Sequence, residues 1–180
     1  MKEYEAFVRQ ARSDYATFQL LLEQDRQSVP ACHPLHYLQM TTEKLAKAIK
    51  IATGDRDFDR YSHVAFSDLP TVLSRREVAT KLGRENFKRF QGFLKRTRSV
   101  FRKIDELNPS VGMSQPGGGP KRGPNAEYPW QTRDSSGVQT WTVPATYAFD
   151  LIVELRHSAD GVQVMNLVET LLERFEDIYG

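Results

Sequence analysis

Apolar side chains recur every three or four positions in several long stretches of this 180-residue chain, and that spacing commits it to helices, because 3.6 residues per turn put such positions on one face. Tyr4, Phe7, Val8, Ala11, Tyr15, Phe18 and Leu22 predict a first helix over about 2–25. Leu38, Leu45, Ala48, Ile49 and Ala52, with Thr41 and Thr42 filling the gap, predict a second that enters at Pro34 and stops near Thr53, ahead of Gly54. A short helix carrying Leu69, Val72 and Leu73 is expected behind Ser67 or Asp68, whose side-chain oxygens suit a helix start. Phe87, Phe90, Leu94, Thr97, Phe101 and Ile104 predict one helix across about 76–107, closed by Pro109. Val164, Val168, Leu171, Leu172, Phe175 and Ile178 predict a final helix from Ser158 to about Tyr179.

Between these last two the pattern changes. Asn108 to Asn125 is rich in Gly, Pro and Ser and reads as a loop. Ala126 to Trp130 and Val138 to Val143 flank a turn at Arg133 to Gly137, which predicts a β-hairpin, with Pro129 holding its strand to an edge. Tyr147 to Leu155 is expected to form a short helix led in by Pro144. The fold class expected is therefore all-α: one domain over 1–180, an up-and-down bundle of four or five helices, with a loop and hairpin inserted at about 108–144. Hydrophobic residues at 39% and charged residues at 27% fit a core with a solvated surface. No apolar run approaches the roughly 20 residues of a membrane span, so no membrane association is expected. Met1-Lys2-Glu3 does not open like a signal peptide, and the single Cys32 has no internal disulfide partner, so a cytoplasmic location is expected.

The stretch His36-Tyr37-Leu38-Gln39-Met40-Thr41-Thr42-Glu43-Lys44-Leu45-Ala46-Lys47-Ala48-Ile49 resembles the second helix of HEPN domains, where a Gln precedes a Glu-Lys pair and a later Lys-Ala. Ser62-His63 followed by Asp68-Leu69 and Leu73 is similar to that family's His-then-Leu pattern, with extra residues between, and Asp14 in the first helix also fits. The resemblance spans roughly 4–107 and, less specifically, the last helix, while the hairpin lies outside it. It implies a bundle that often dimerises and that serves in RNases, toxin–antitoxin modules, phage defence, and as a partner of nucleotidyltransferases. A homodimer, with RNA or a nucleotidyltransferase as a further partner, is thus the expectation, and no cofactor is implied. Catalytic HEPN RNases carry an Arg and a His several residues apart near the start of the last helix, without a metal. This chain departs from that, offering there only the adjacent Arg156 and His157, which point in different directions if helical. Arg26 with His33 and Arg56 with His63 have wider spacing but flank the second helix, and with 25 basic residues and 4 histidines such matches arise by chance. The leading expectation is a non-catalytic interaction or nucleic-acid-associated module. A metal-independent endoribonuclease using Arg156 and His157 is the alternative, and a structural subunit is the third.

Charge is unevenly spread: residues 75–103 hold 11 basic against 2 acidic side chains, whereas 104–180 hold 5 against 11. Within the basic block Lys81, Arg84, Lys88, Lys95, Arg98 and Arg102 fall on one heptad stripe, and Arg89, Arg96 and Lys103 widen it. Such a stripe tracks a phosphate backbone; its plainer reading is a solvated face partly balanced by Glu169, Glu173, Glu176 and Asp177 on the last helix of the same or a partner chain. Glu127, Tyr128, Trp130 and Trp141 form the other candidate, a recognition surface on the hairpin, against the plainer reading that both tryptophans pin the insertion to the bundle. Cys32, His33 and His36 are metal-ligand types without a fourth partner in view, so no metal site is expected. Glu43 and Lys44 read as solvated helix positions rather than a buried pair, and Gly117 to Gly119 precede no helix that would make a phosphate loop.

Overall fold

The first two helices set the frame in the computed structural model, which describes residues 1–24, 28–55, 65–111, 123–133 and 136–180. α1 (Glu3–Glu23) starts where the Glu5 carboxylate accepts from the Lys2 amide at 2.8 Å. α2 (Cys32–Ala52) carries Pro34 in its first turn and stops at Thr53 before Gly54, whose φ of 73° is the left-handed value that a helix exit needs. The two pack along their length as the most extensive helix pair among the described residues, with Asp14 of α1 beside Lys44 of α2.

α3 (Leu69–Leu73) begins after Asp68, but neither Ser67 nor Asp68 caps it through a side chain. The Asp68 carboxylate instead takes the Lys50 ammonium at 3.0 Å, and the Ser67 amide donates to Asp105 at 2.7 Å. The single helix expected over 76–107 is three: α4 (Arg76–Lys81), α5 (Phe87–Arg96) and α6 (Arg98–Asp105). Gly83, at φ 70°, ends α4 by a left-handed residue, and Asn86 starts α5 by accepting from the Arg89 amide at 3.0 Å. A Cβ at Gly83 would meet nothing within 4 Å, so only the backbone objects to a side chain there. Gly83→Ala should therefore cost about 1 kcal/mol in urea unfolding, and an unchanged midpoint would show that the break is not held by this residue. The second break falls at Thr97, fully buried, whose hydroxyl donates back to the Phe93 carbonyl at 2.9 Å.

β1 (Trp130–Arg133) pairs antiparallel with β2 (Gln139–Thr142), setting Trp130 opposite Thr142 and Gln131 opposite Trp141. The first strand thus starts later than the pattern suggested. Asn125 is the reason: its side-chain oxygen accepts from the amides of Glu127 and Tyr128 at 3.0 and 2.8 Å, which makes a turn of the segment expected to be strand. After a 3-10 turn at Pro144–Thr146 come α7 (Asp150–His157), α8 (Ala159–Glu173) and α9 (Phe175–Tyr179). Ser158 caps α8, its hydroxyl accepting from the Gly161 amide at 2.9 Å, and Arg174 divides what the sequence suggested was one final helix.

The protein is an all-α bundle with a small β-hairpin carried ahead of its last helices. α2 lies at the centre, touching α1, α6 and α8. Leu35, Leu38, Leu45 and Ile49 of α2, Phe101 and Ile104 of α6, and Leu167 and Leu171 of α8 are sealed from solvent, each worth about 1.5–3 kcal/mol of burial. Phe66 stacks on Phe101 with ring centroids 4.5 Å apart, closing the core beneath α3.

Candidate nucleic-acid interface and polar clusters

Breaking the helix at Gly83 divides the basic stripe. Lys81 closes α4, and its ammonium donates to the Ile178 carbonyl at 2.6 Å, so it serves the junction with α9 and leaves the stripe. Arg84 stands in the turn between α4 and α5, its guanidinium 6.0 Å from the Phe90 ring centre. Lys88 and Lys95 of α5 and Arg98 and Arg102 of α6 keep to the exposed outer face, opposite the buried Phe90, Leu94 and Phe101. Arg102 pairs with Glu106 at 3.2 Å, Arg96 with Asp160 at 3.0 Å and Lys103 with Glu154 at 2.8 Å. Among the described residues, Lys88, Arg89, Lys95 and Arg98 make no ion pair. The acids expected to balance the stripe are engaged elsewhere. Glu176 takes the Arg12 guanidinium through two contacts of 2.8 and 2.6 Å, and its carboxyl is held below the ordinary range by that hydrogen bond. Asp177 lies 3.7 Å from Arg174. Glu169 and Glu173 lie toward Tyr15, whose hydroxyl is pushed up to about 12, chiefly by burial and then by their charge. Arg12 also donates to the Leu172 carbonyl, tying α1 to α8 in a way that no sequence spacing revealed.

Polar side chains of α1 and α2 meet along α2. Lys44 pairs with the buried Asp14 at 2.7 Å, and Gln10 donates to the same carboxylate at 3.0 Å. Glu43 accepts from Gln39 at 2.8 Å and from Lys47 at 2.7 Å. Glu43 and Lys44, expected at solvated positions, are thus largely buried in separate pairs, as adjacent helical residues must be. Removing two charges from water offsets much of their attraction, so these pairs fix how α1 meets α2 more than they add stability. Beside them opens a cleft of about 380 Å³ whose far wall is Glu127 and Tyr128 of the insertion. His36 Nδ1 is buried without a hydrogen bond, 3.5 Å from Glu127 Oε1. Cys32 is buried, with burial pushing its thiol up, while the neighbouring His33 is exposed, so the two face apart. Among the described residues no three His, Cys, Asp or Glu side chains are grouped to hold a metal, and no helix is long and apolar enough to cross a membrane.

The hairpin candidates separate. Trp130 is 2% exposed and meets Tyr147 edge to face at 5.2 Å, and Tyr147 meets Phe149 in the same way at 4.9 Å. Gly123 lies so close that a Cβ there would overlap the indole. Trp141, on the opposite face of the two-stranded sheet, is 65% exposed, in company with Tyr128, Val138 and Val143. One tryptophan pins the insertion, as the plainer reading has it, and the other does not. The Ala126 amide, donating to the Leu107 carbonyl at 3.0 Å, is a second anchor.

Arg156 and His157 form the last turn of α7, immediately before α8, and both are exposed. Arg156 donates to the Leu22 carbonyl at 3.0 Å, at the mouth of an apolar cavity of about 220 Å³ between α7 and the α1–α2 junction. His157 does not line that cavity. Arg26, Arg56 and His63, the other members of the spaced Arg/His pairs, lie outside the described residues, as do Gly117 to Gly119. Comparison with known proteins finds no matching family model, no matching curated relative and no matching solved structure.

Proposed function

We propose that the protein is a HEPN-like, non-catalytic binding module that acts in the cytosol and associates with nucleic acid through the outer face of α5 and α6. The observation that carries this reading is the set Lys88, Arg89, Lys95 and Arg98, exposed and without ion pairs among the described residues. An exposed cation already paired with a carboxylate has little left for a phosphate, whereas an unpaired one releases a counterion when the phosphate arrives. Of the acids on α8 and α9, Asp160 takes Arg96 at the edge of this face, while Glu176 and Asp177 are engaged by Arg12 and Arg174. Four contacts to a single strand correspond to a slope of roughly −3 in log affinity against log salt.

The test is titration of end-labelled single-stranded RNA at several salt concentrations, with the Lys95→Glu, Arg98→Glu double variant alongside. The variant should bind about 10- to 100-fold more weakly and lose roughly 1–2 units of salt slope. Affinity that ignores salt, or that survives the reversal, counts against the reading. The family to which the resemblance points supplies the context, a toxin–antitoxin or defence system, and its RNase members supply the contrast. Arg156 is held by a backbone carbonyl and His157 does not share its cavity, which favours binding over cleavage.

A further inference from the structure

The largest of the clefts described opens at one end of this basic face, where the α4–α5 turn meets α8. Its volume is about 520 Å³, which suits a nucleotide-sized ligand better than a bare ion. One wall carries Arg84 and Arg89; the other carries Gln163 and Asn166, one helical turn apart on α8. Phe90 and Phe93 form an apolar floor. Gln163 and Asn166 are exposed, and among the described residues their side-chain amides make no hydrogen bond. Glu85 is the one acid of the lining, offsetting one of the two guanidiniums. The Arg89 amide is already taken by Asn86, so the charge presented here comes from side chains and not from the start of α5. Beside the cleft the exposed Arg96–Asp160 pair, at 3.0 Å, links the end of α5 to the first turn of α8.

These groups divide by chemistry. A guanidinium fork matches phosphate oxygens, and its flat face stacks on a base. A carboxamide presents a donor and an acceptor side by side, the pattern that reads the edge of a base, and adds nothing to the capture of a free anion. In a duplex those edges are already paired or lie in a groove, so a compact cleft of this size admits a base only from a single strand. We infer that this cleft is a nucleotide subsite: it takes one unpaired base of a single-stranded nucleic acid, with Arg84 and Arg89 on its phosphate and Gln163 and Asn166 on its edge. The subsite rests on the proposed nucleic-acid association and deepens it, since Lys88, Lys95 and Arg98 would carry the rest of the strand without regard to sequence.

The closing experiment is anisotropy titration of labelled decamers of rA, rC, rG, rU and dT, and of a duplex, with the wild-type protein and with the Gln163→Ala, Asn166→Ala double variant. The wild type should prefer single strands and favour one homopolymer over the weakest by about tenfold. The double variant should bind all the decamers alike, with an unchanged salt slope and, because both side chains are exposed, an unchanged melting temperature. Equal affinity of rU and dT would place recognition on the phosphate and on the Watson–Crick edge that uracil and thymine share; a preference for rU would add the 2′-hydroxyl or a clash with the thymine methyl, and both outcomes support the subsite. A wild type without homopolymer preference, or a variant that retains the preference, overturns the subsite and leaves the basic face standing. Failure of the wild type to bind any probe removes both.

Discussion

Trp130→Ala is expected to lower unfolding stability by about 3–5 kcal/mol, and Trp141→Ala by no more than about 0.5 kcal/mol, although both residues sit in one hairpin eleven positions apart. The difference comes from register. Directly opposed residues share a face, and Trp130 opposes Thr142 while Trp141 opposes Gln131, so period-two alternation sends the two indoles to opposite sides. Trp130 fills the space bounded by Gly123 and Tyr147 and is sealed; truncating it leaves a cavity of indole size that the strands cannot close without giving up their seat. Two strands alone are marginal in water, so the loss falls on the whole insertion. Trp141 loses little on truncation because water already reaches most of it. Urea unfolding followed by helical circular dichroism measures both. A Trp130→Ala protein within about 1 kcal/mol of wild type would mean that the anchor lies elsewhere, with the Ala126–Leu107 hydrogen bond as the next candidate.

The same hairpin shows what a sequence can convey. Spacing by three and four identifies helix faces reliably: the predicted stripes of α2, α6 and α8 are interior save for the half-buried Ala52, and that of α1 buries Val8, Ala11 and Phe18 while Tyr4, Phe7, Tyr15 and Leu22 pack half-buried against the core. It fails at breaks. The basic positions continue in heptad register through Gly83 although the helix does not, because Lys81 and Arg84 keep the spacing by coincidence while the backbone between them turns left-handed. Gly83 followed by Asn86 is a stop signal followed by a cap, and it was there to be read against the periodicity. Other features had no local signal. That Lys44 reaches Asp14, that Arg12 spans to Glu176, and that Gln163 faces Arg84 across a cleft are facts of tertiary packing, separated in the chain by tens of residues or more. Which of two tryptophans is buried follows from the pairing register, which sets Trp130 opposite Thr142 and Trp141 opposite Gln131 and so sends them to opposite faces.

Asp105 is the clearest case of a residue whose importance spacing hides, since it ends α6 as an ordinary polar residue would, and yet it is only 1% exposed. One carboxylate oxygen accepts from the Ser67 amide at 2.7 Å, which ties the segment leading into α3 to α6, while the other is buried without a partner. Burial pushes the carboxyl up to about 6 from an ordinary 3.8, against the opposing pull of the Ser67 hydrogen bonds, and the charge of Asp68 adds to the rise. The folded protein therefore holds this proton more tightly than the unfolded chain does. The stability that Asp105 contributes is fully present below about pH 4 and is lost as pH climbs through about 6, and a rise of some two units corresponds to roughly 3 kcal/mol. Asp105→Asn removes the titration while keeping an oxygen for Ser67. Unfolding free energies of both proteins between pH 4.5 and 7.5 should diverge, with the variant gaining roughly 2 kcal/mol relative to wild type across that range and most of the change falling below about pH 6. Parallel profiles would mean that the carboxyl titrates near its ordinary value and that water reaches its unpartnered oxygen; a variant that instead loses ground toward neutral pH would reverse the sign and assign Asp105 a cationic partner.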